Sequence, residues 1–197
     1  MINCKLLMLN NGLEGELIDK KDLRKQQIKQ LQKNQLKTRT EGVELLKKLQ
    51  ETPEWKNAKT IATTVSAPFE VPTTPIIEAA QAEGKQVYLP KTMPHRQMAF
   101  LPFTSSEDLV RSDFGIPEPV YDENLVNQEP DLVIVPGLAF AEDSNYRVGF
   151  GGGYYDRFLA KYSGKTVALV PSTMHFESAD WEIKEHDIKI QRLILVD

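Results

Sequence analysis

The chain has 197 residues, of which 41% are hydrophobic and 26% charged, and its formal net charge is −4. This composition is that of an ordinary globular protein and excludes disordered, collagen-like and fibrous chains. The length indicates a single domain. A mildly acidic chain lacks the broad basic surface of a nucleic-acid-binding protein, although a local cationic pocket for one anion is still compatible with it.

The N-terminal region shows no export or membrane signal. No window approaches the roughly 20 apolar residues of a membrane span, and the apolar patch at residues 6–9 is shorter than a signal-peptide core. Cys4 is the single cysteine, which fits a reducing compartment. We therefore expect a cytoplasmic protein with neither membrane nor nucleic-acid partners. Residues 1–18 form a poorly specified extension whose order the sequence leaves open, and residues 19–197 form one domain.

Two charged helices are predicted after residue 18. Asp19 is the candidate N-cap of the first, and the second covers about residues 41–50 and stops before Pro53. The apolar positions are Leu23, Ile28, Leu31 and Leu36 in the first helix, and Val43, Leu45, Leu46 and Leu49 in the second. This pattern predicts an amphipathic helical hairpin with solvated basic faces.

From residue 60 onward, strands alternate with helices. Helices are predicted at 74–82 and 154–162, and strands at 60–65, 86–89, 98–101, 131–135, 165–170 and 193–196. Pro102 is expected to end the third strand or to place it at a sheet edge. Residues 117–130 are predicted to be a surface loop. The alternation indicates an α/β domain around a mostly parallel central sheet.

The segment that most strongly suggests chemistry is a glycine cluster that follows a buried strand. It contains Gly149 and the triplet Gly151, Gly152 and Gly153, between Arg147 and Arg157. Glycines let a ligand approach the main chain, and a helix that starts there presents free N–H groups to an anion. The flanking arginines suit phosphate, and Asp156 suits a divalent cation. A tight connection with two packed tyrosines is the structural alternative, and the cluster matches neither a Walker A loop nor a dinucleotide-binding fingerprint.

Other segments carry weaker signals. Glu70 follows the first predicted strand, where ligands bind in parallel sheets, and it suits the N–H groups of a heterocycle; an exposed loop glutamate is the alternative. The first helical turn over residues 20–24 and Lys91 each suit an anion or simply solvent. His95, His175 and His186 lack metal-ligand spacing, and a nucleophile elbow of the G-x-S-x-G type is absent from the sequence.

Taken together, these residues resemble the 5-formyltetrahydrofolate cyclo-ligase family, whose members are also called 5,10-methenyltetrahydrofolate synthetases. The central match is PGLAFAEDSNYRVGFGGGYYDR, residues 136–157. Collinear shorter elements are Lys-x-x-Leu-Arg at 20–24, Glu70, Leu-Pro-Lys at 89–91, Gly-Ile-x-Glu-Pro at 115–119 and His-Asp at 186–187. The resemblance covers about residues 19–197.

The resemblance implies an ATP-dependent ring closure. 5-Formyltetrahydrofolate and ATP would give 5,10-methenyltetrahydrofolate, ADP and phosphate, with Mg²⁺ required, through a formyl-phosphate (imidate phosphate) intermediate. It also implies a three-layer α/β sandwich with a mostly parallel sheet, resembling the sugar-phosphate isomerase and CoA transferase folds. The expected partners are small molecules, and the chain is expected to be a monomer or a weak homo-oligomer.

The resemblance also implies roles for residues. Arg147 and Tyr155 would be catalytic, Asp156 and Asp187 would bind the metal, and Val65 and Glu70 would bind folate. The ATP-binding residues would be Lys20, Lys21, Asp22, Leu23, Arg24, Arg147, Val148, Gly149, Phe150, Gly151, Gly152, Gly153, Tyr154 and Tyr155. Within that set, Phe150, the glycine triplet and Tyr154 would also face the folate.

The sequence departs from the family pattern in two places. Residues 1–18 precede the usual start, and Gln191 stands where many members carry an acidic residue. Two other classes of function stay open at this point. One is a nucleotide- or folate-binding paralogue without catalysis, and the other is an isomerase or CoA transferase with the same fold.

Overall fold

The computed structural model describes residues 17–113 and 115–197. Most of the predicted extension over residues 1–18, including Cys4, lies outside these ranges. The amide of Ile18 donates a 2.7 Å hydrogen bond to the carbonyl of Asp180, and Ile18 forms a parallel bridge with Trp181. The described chain therefore begins in contact with a segment that precedes its last strand.

The described residues contain five α-helices: α1 (Lys20–Lys33), α2 (Gln35–Glu51), α3 (Pro53–Asn57), α4 (Thr74–Ala82) and α5 (Tyr154–Leu159). Asp19 caps α1 as predicted, because its side chain accepts hydrogen bonds from the amides of Lys21 and Asp22. Pro53 follows the end of α2 and opens α3. Proline is tolerated there, because the first N–H groups of a helix have no intrahelical partner.

The strands of the described residues are β1 (Thr60–Ala62), β2 (Gln86–Met93), β3 (Gln97–Pro102), β4 (Leu109–Arg111), β5 (Pro117–Pro119), β6 (Leu132–Ile134), β7 (Ala139–Ala141), β8 (Arg147–Val148), β9 (Lys165–Val170), β10 (His175–Phe176) and β11 (Arg192–Leu195). Among them, six form a central sheet in the order β11-β9-β6-β1-β2-β3. Neighbouring strands run parallel except at the edge, where β3 is antiparallel to β2. Pro102 therefore lies at a sheet edge, as one of its two predicted placements requires.

Alternate residues of the central strands pack against opposite layers. In β6, Leu132 and Ile134 join a cluster with α2, α3 and α4, whereas Val133 joins a cluster with α1 and α5. In β9, Val167 and Ala168 divide in the same way, as the two-residue period of a strand requires. The prediction of a three-layer α/β domain with a mostly parallel sheet is confirmed.

The apolar stripes of the helical hairpin are partly wrong. Leu36 and Val43 are 79% and 59% exposed. The helix breaks at Asn34, so the stripe of α1 does not continue to Leu36. In α2 the buried face carries Thr38, Leu45 and Leu49, and Val43 lies about 200° around the helix from Leu45.

The predicted loop over residues 117–130 contains a strand. β5 pairs antiparallel with β4, and Glu118 in its centre is only 3% exposed. A charged residue flanked by prolines does not resemble a strand in sequence. The burial of Glu118 depends on partners in β2. Nζ of Lys91 lies 3.2 Å from its Oε2, and the hydroxyl of Thr92 donates a 2.9 Å hydrogen bond to its Oε1.

A second small sheet was not predicted. It has the order β10-β7-β8 and includes two strands of only two residues each, which are too short to give a periodic signal. Its strand β8 contains Arg147 and ends directly before Gly149, the first residue of the glycine cluster. Among the helices of the described residues, none has the length and hydrophobicity of a membrane-spanning segment.

Candidate active site

The order of the central strands predicts where a ligand binds. From β1 the chain passes to β2 on one side, whereas from β6 it passes to β9 on the other. The carboxyl ends of β1 and β6 therefore meet at a topological switch point, the usual ligand crevice of such sheets. A cavity of about 40 Å³ lies there, lined among others by Thr63, Glu70, Pro136 and Gly137.

Glu70 is held within the loop that follows β1. Its carboxylate accepts a 2.6 Å hydrogen bond from the amide of Ala67. Burial raises the pKa of Glu70 from its ordinary value of 4.5 to about 6, and the Ala67 hydrogen bond opposes this shift only in part. Glu70 therefore keeps its proton to a higher pH than a solvated carboxyl group does. Val65 packs against the cluster of α2, α3 and α4 and does not line the cavity.

The glycine loop, residues 149–153, joins β8 to α5. Gly151 and Gly153 have φ values of +99° and +69°, which disfavour residues with a Cβ. A Cβ on Gly152 would lie 2.7 Å from the ring of Tyr154. Phe150 is 49% exposed at the outer side of this loop. The prediction that a helix opens directly after the glycines is confirmed, although α5 ends at Leu159 and not at residue 162.

Helix α1 lies against the glycine loop. The Nε atom of Arg24 donates a 2.7 Å hydrogen bond to the carbonyl of Gly149, and its guanidinium lies 3.5 Å from where a Cβ on Gly151 would be. Residues 20–24 do not act as one surface, however. Lys21 and Asp22 face solvent, whereas Leu23 is buried with the small sheet.

Arg147 pairs with the predicted metal ligand Asp156. Its side chain is buried, and Nη1 donates a 3.1 Å hydrogen bond to Oδ1 of Asp156. The same Oδ1 accepts a 3.3 Å bond from the amide of Ile188. Nε of Arg147 is buried without a hydrogen-bond partner among the described residues. One donor of this buried guanidinium is therefore unsatisfied among the described residues.

Tyr155 lies between two charges of opposite sign. The guanidinium carbon of Arg147 is 5.9 Å from the centre of its ring. Burial raises the pKa of Tyr155, while Arg147 opposes the shift and the Glu70 carboxylate adds to it. The phenol oxygen is buried and finds no hydrogen-bond partner within the described part of the chain. The glycine loop side and the Glu70 side of the site therefore meet at this tyrosine.

Lys20 and Asp187 form a second ion pair in the site. Lys20 Nζ donates a hydrogen bond to Oδ2 of Asp187, and their side chains are 12% and 13% exposed. Asp187 also accepts a 2.7 Å bond from the amide of Lys184. Burial alone would raise the pKa of Asp187, but these two hydrogen bonds and the nearby charges of Lys20 and His186 together outweigh it, so the pKa lies below its ordinary value.

The donor set suits a hard divalent cation only in part. Asp156 and Asp187 offer carboxylate oxygens, which Mg²⁺ prefers, and Asp156 bonds the amide of the residue next to Asp187. Within residues 17–113 and 115–197, no group of three or more His, Cys, Asp or Glu is placed to hold a metal. A cation here would depend on further oxygens, such as those of a phosphate.

The sequence analysis missed Gln27. It is 6% exposed, and its amide donates hydrogen bonds of 2.7 Å to the carbonyl of Leu138 and 3.0 Å to that of Thr173. These carbonyls follow β6 and β9, so Gln27 fastens α1 across the carboxyl ends of two central strands. Its spacing from Leu23 and Leu31 places it in the apolar stripe of α1, and this spacing is a signal that the sequence does contain.

The profile of the 5-formyltetrahydrofolate cyclo-ligase family matches residues 17–195 of this sequence. The chain belongs to this family. Members carry the name of a ligase, and the match spans α1, the Glu70 loop, the glycine loop and Asp187, which the structure brings to one end of the sheet.

Individual relatives agree with this assignment. The chain is 36% identical to the probable 5-formyltetrahydrofolate cyclo-ligase of Schizosaccharomyces pombe over 62% of either chain. It is 31% identical to the 5-formyltetrahydrofolate cyclo-ligase of Haemophilus influenzae over 70% of this chain and 78% of that protein. The solved structure of Aquifex aeolicus 5,10-methenyltetrahydrofolate synthetase matches with a TM-score of 0.75 and 32% identity over 89% of both chains. The aligned part thus spans less than two thirds of the fission-yeast relative.

Proposed function

We propose that this protein closes the ring of 5-formyltetrahydrofolate to give 5,10-methenyltetrahydrofolate, using ATP and Mg²⁺. The observation that carries this proposal is the meeting of α1 with the glycine loop. Arg24 bonds the Gly149 carbonyl at 2.7 Å, and Lys20 bonds Asp187. Arg24 and Arg147 thus lie beside a glycine-rich main chain, and Lys20 lies one helical turn from Arg24. This arrangement suits a triphosphate.

The proposed chemistry is a phosphoryl transfer followed by a displacement. The formyl oxygen attacks the γ-phosphorus of ATP, and the bond to the bridging oxygen breaks to release ADP. N10 of the folate then attacks the activated formyl carbon and loses its proton, and the carbon–oxygen bond breaks to release phosphate. Such a reaction depends on positioning and charge neutralisation more than on covalent help from the protein.

The residues divide between the two substrates. In our proposal Lys20, Arg24 and the segment from Arg147 to Tyr155 bind ATP. Asp156 and Asp187 would hold the Mg²⁺ ion, which would neutralise negative charge on the phosphates. Glu70 recognises the folate from the cavity at the switch point, and Val65 supports its loop from behind. Tyr155, whose buried hydroxyl has no partner within the described chain, lies where the two substrates meet.

Two further aspects of the proposal concern the setting of the reaction. The partners in this proposal are the two small-molecule substrates, and the working form is a monomer or a weak homo-oligomer. The single cysteine suits a reducing compartment, which supports the cytoplasm.

A turnover assay tests the proposal. Purified protein is mixed with 5-formyltetrahydrofolate and MgATP, and the near-ultraviolet absorption of the methenyl product is followed. We expect product only when ATP and Mg²⁺ are both present. Absence of product from folded protein that binds MgATP would refute catalysis and favour a binding paralogue.

A further inference from the structure

The two predicted metal ligands, Asp156 and Asp187, are neighbours, and each already forms an ion pair with a basic side chain. Asp156 bonds the amide of Ile188, the residue that follows Asp187. Nη1 of Arg147 lies 3.1 Å from Oδ1 of Asp156, and Nζ of Lys20 bonds Oδ2 of Asp187. An incoming metal ion must therefore compete with two positively charged side chains that are already in place.

Both ion pairs are largely hidden from solvent. Arg147 and Asp156 have side chains that are 3% and 19% exposed, and Lys20 and Asp187 are similarly covered. Salt screens such pairs much less than surface pairs. Arg24 adds a third cation at the glycine loop, only 2.7 Å from the Gly149 carbonyl. These five side chains thus carry more positive than negative charge, which opposes the binding of a free divalent ion.

We propose that Lys20 and Arg147 act as built-in substitutes for the metal, so that the protein alone binds divalent cations poorly and takes up the metal together with a nucleotide. This inference rests on the proposed function for the identity of the nucleotide. The phosphates supply the oxygen ligands that the described residues lack. They would also attract Lys20 and Arg147 away from Asp187 and Asp156, whose carboxylates would then be free to hold the metal.

Electron paramagnetic resonance of Mn²⁺, with no folate present, tests the inference. For wild-type protein without nucleotide, the dissociation constant of Mn²⁺ should be above about 1 mM. Lys20→Met frees Asp187 and should tighten Mn²⁺ binding at least about tenfold. Adding Asp187→Asn to that variant should abolish the gain. Lys25→Met is the matched control, because Lys25 is exposed and pairs with Asp22 on the same helix, and its Mn²⁺ binding should equal that of wild type.

The outcomes separate this inference from the proposed function. One equivalent of Mn²⁺ bound by nucleotide-free wild type more tightly than about 1 mM would overturn the inference, and so would a Lys20→Met variant that is folded and binds no more tightly. If Lys20→Met does not fold, the water-proton relaxation rate of wild type with Mn²⁺ is measured instead. An enhanced relaxation rate with a non-hydrolysable ATP analogue, and no enhancement without the analogue, supports the inference. Enhancement without the analogue overturns it. A failed turnover assay leaves the nucleotide-free Mn²⁺ results unaffected, because they involve neither ATP nor folate.

Discussion

Arg147 joins two parts of the candidate site through one buried guanidinium. It bonds Asp156 and lies over the ring of Tyr155, while its Nε has no partner among the described residues. Burying a charge is unfavourable unless it is paired, so Arg147 and Asp156 depend on each other. Replacing either side chain alone would therefore leave the other one as a poorly solvated charge.

The mutual dependence of this pair can be measured. Arg147→Met should lower the free energy of unfolding by about 3 kcal/mol, because it leaves a poorly solvated carboxylate without its partner. Adding Asp156→Asn should recover part of that loss. The measurement is urea denaturation of wild type, both single variants and the double variant. Strictly additive effects would show that the two side chains are not energetically coupled.

Glu70 gives a pH signature. Its pKa in the folded protein, about 6, lies above the ordinary 4.5, so the folded state holds the proton more tightly than the unfolded state. Stability is therefore highest at low pH with respect to this group, and falls by about 2 kcal/mol as the pH rises through 4.5 to 6. Glu70→Gln lacks this penalty and should gain stability relative to wild type across that window, then level off above it.

Chemical denaturation of both proteins at several pH values checks this. A stability difference between Glu70→Gln and wild type that does not change between pH 4.5 and about 7 would mean that Glu70 is solvated in the folded protein.

The sequence shows which candidate site residues lie together only where they are close together in the chain. Arg147, the glycines and Asp156 lie within ten positions, so their pattern is visible without a structure. The ion pair of Lys20 with Asp187 joins residues 167 positions apart, and only the tertiary fold brings them together. The roles of both residues were expected by resemblance, but their pairing with each other was not.

At the scale of elements, the site depends on two connections. In the first, Gln27 of α1 donates hydrogen bonds to the carbonyls of Leu138 and Thr173. In the second, the five-residue glycine loop connects β8 directly to α5. Sequence periodicity predicted the existence of α1, α4 and α5 and of the central strands. It failed for the two-residue strands of the small sheet and for β5, because those depend on distant pairing partners and not on local pattern.

A matched pair of glycine variants tests the role of the glycine loop. Gly151 and Gly84 both have positive φ, +99° and +73°, so alanine at either position should lower stability by about 1–3 kcal/mol. Only Gly151 has a neighbour in the site, since a Cβ there would lie 3.5 Å from the Arg24 guanidinium, whereas a Cβ on Gly84 would meet open space. Gly151→Ala should therefore weaken nucleotide binding several-fold more than Gly84→Ala.

Calorimetric titration of each variant with a non-hydrolysable ATP analogue, together with thermal denaturation, checks this prediction. Equal loss of affinity in the two variants would mean that the glycine loop affects nucleotide binding only through global stability.

At the scale of the whole molecule, strand order determines where the site lies. The switch between β1 and β6 opens a cavity beside Glu70, and α1 crosses to the same end of the sheet. The alternation of strands and helices was sufficient to predict a mostly parallel sheet. The strand order was not predicted, because hydrophobic patterns show which residues are buried and not which strand pairs with which.

The central claim is that ATP activates the formyl oxygen, and an isotope experiment tests it most directly. 5-Formyltetrahydrofolate with a heavy oxygen isotope in the formyl group is converted with MgATP, and the released phosphate is analysed by mass spectrometry. Our account predicts one labelled oxygen in each phosphate, because the formyl oxygen leaves on phosphorus. Methenyl product formed together with unlabelled phosphate would contradict it.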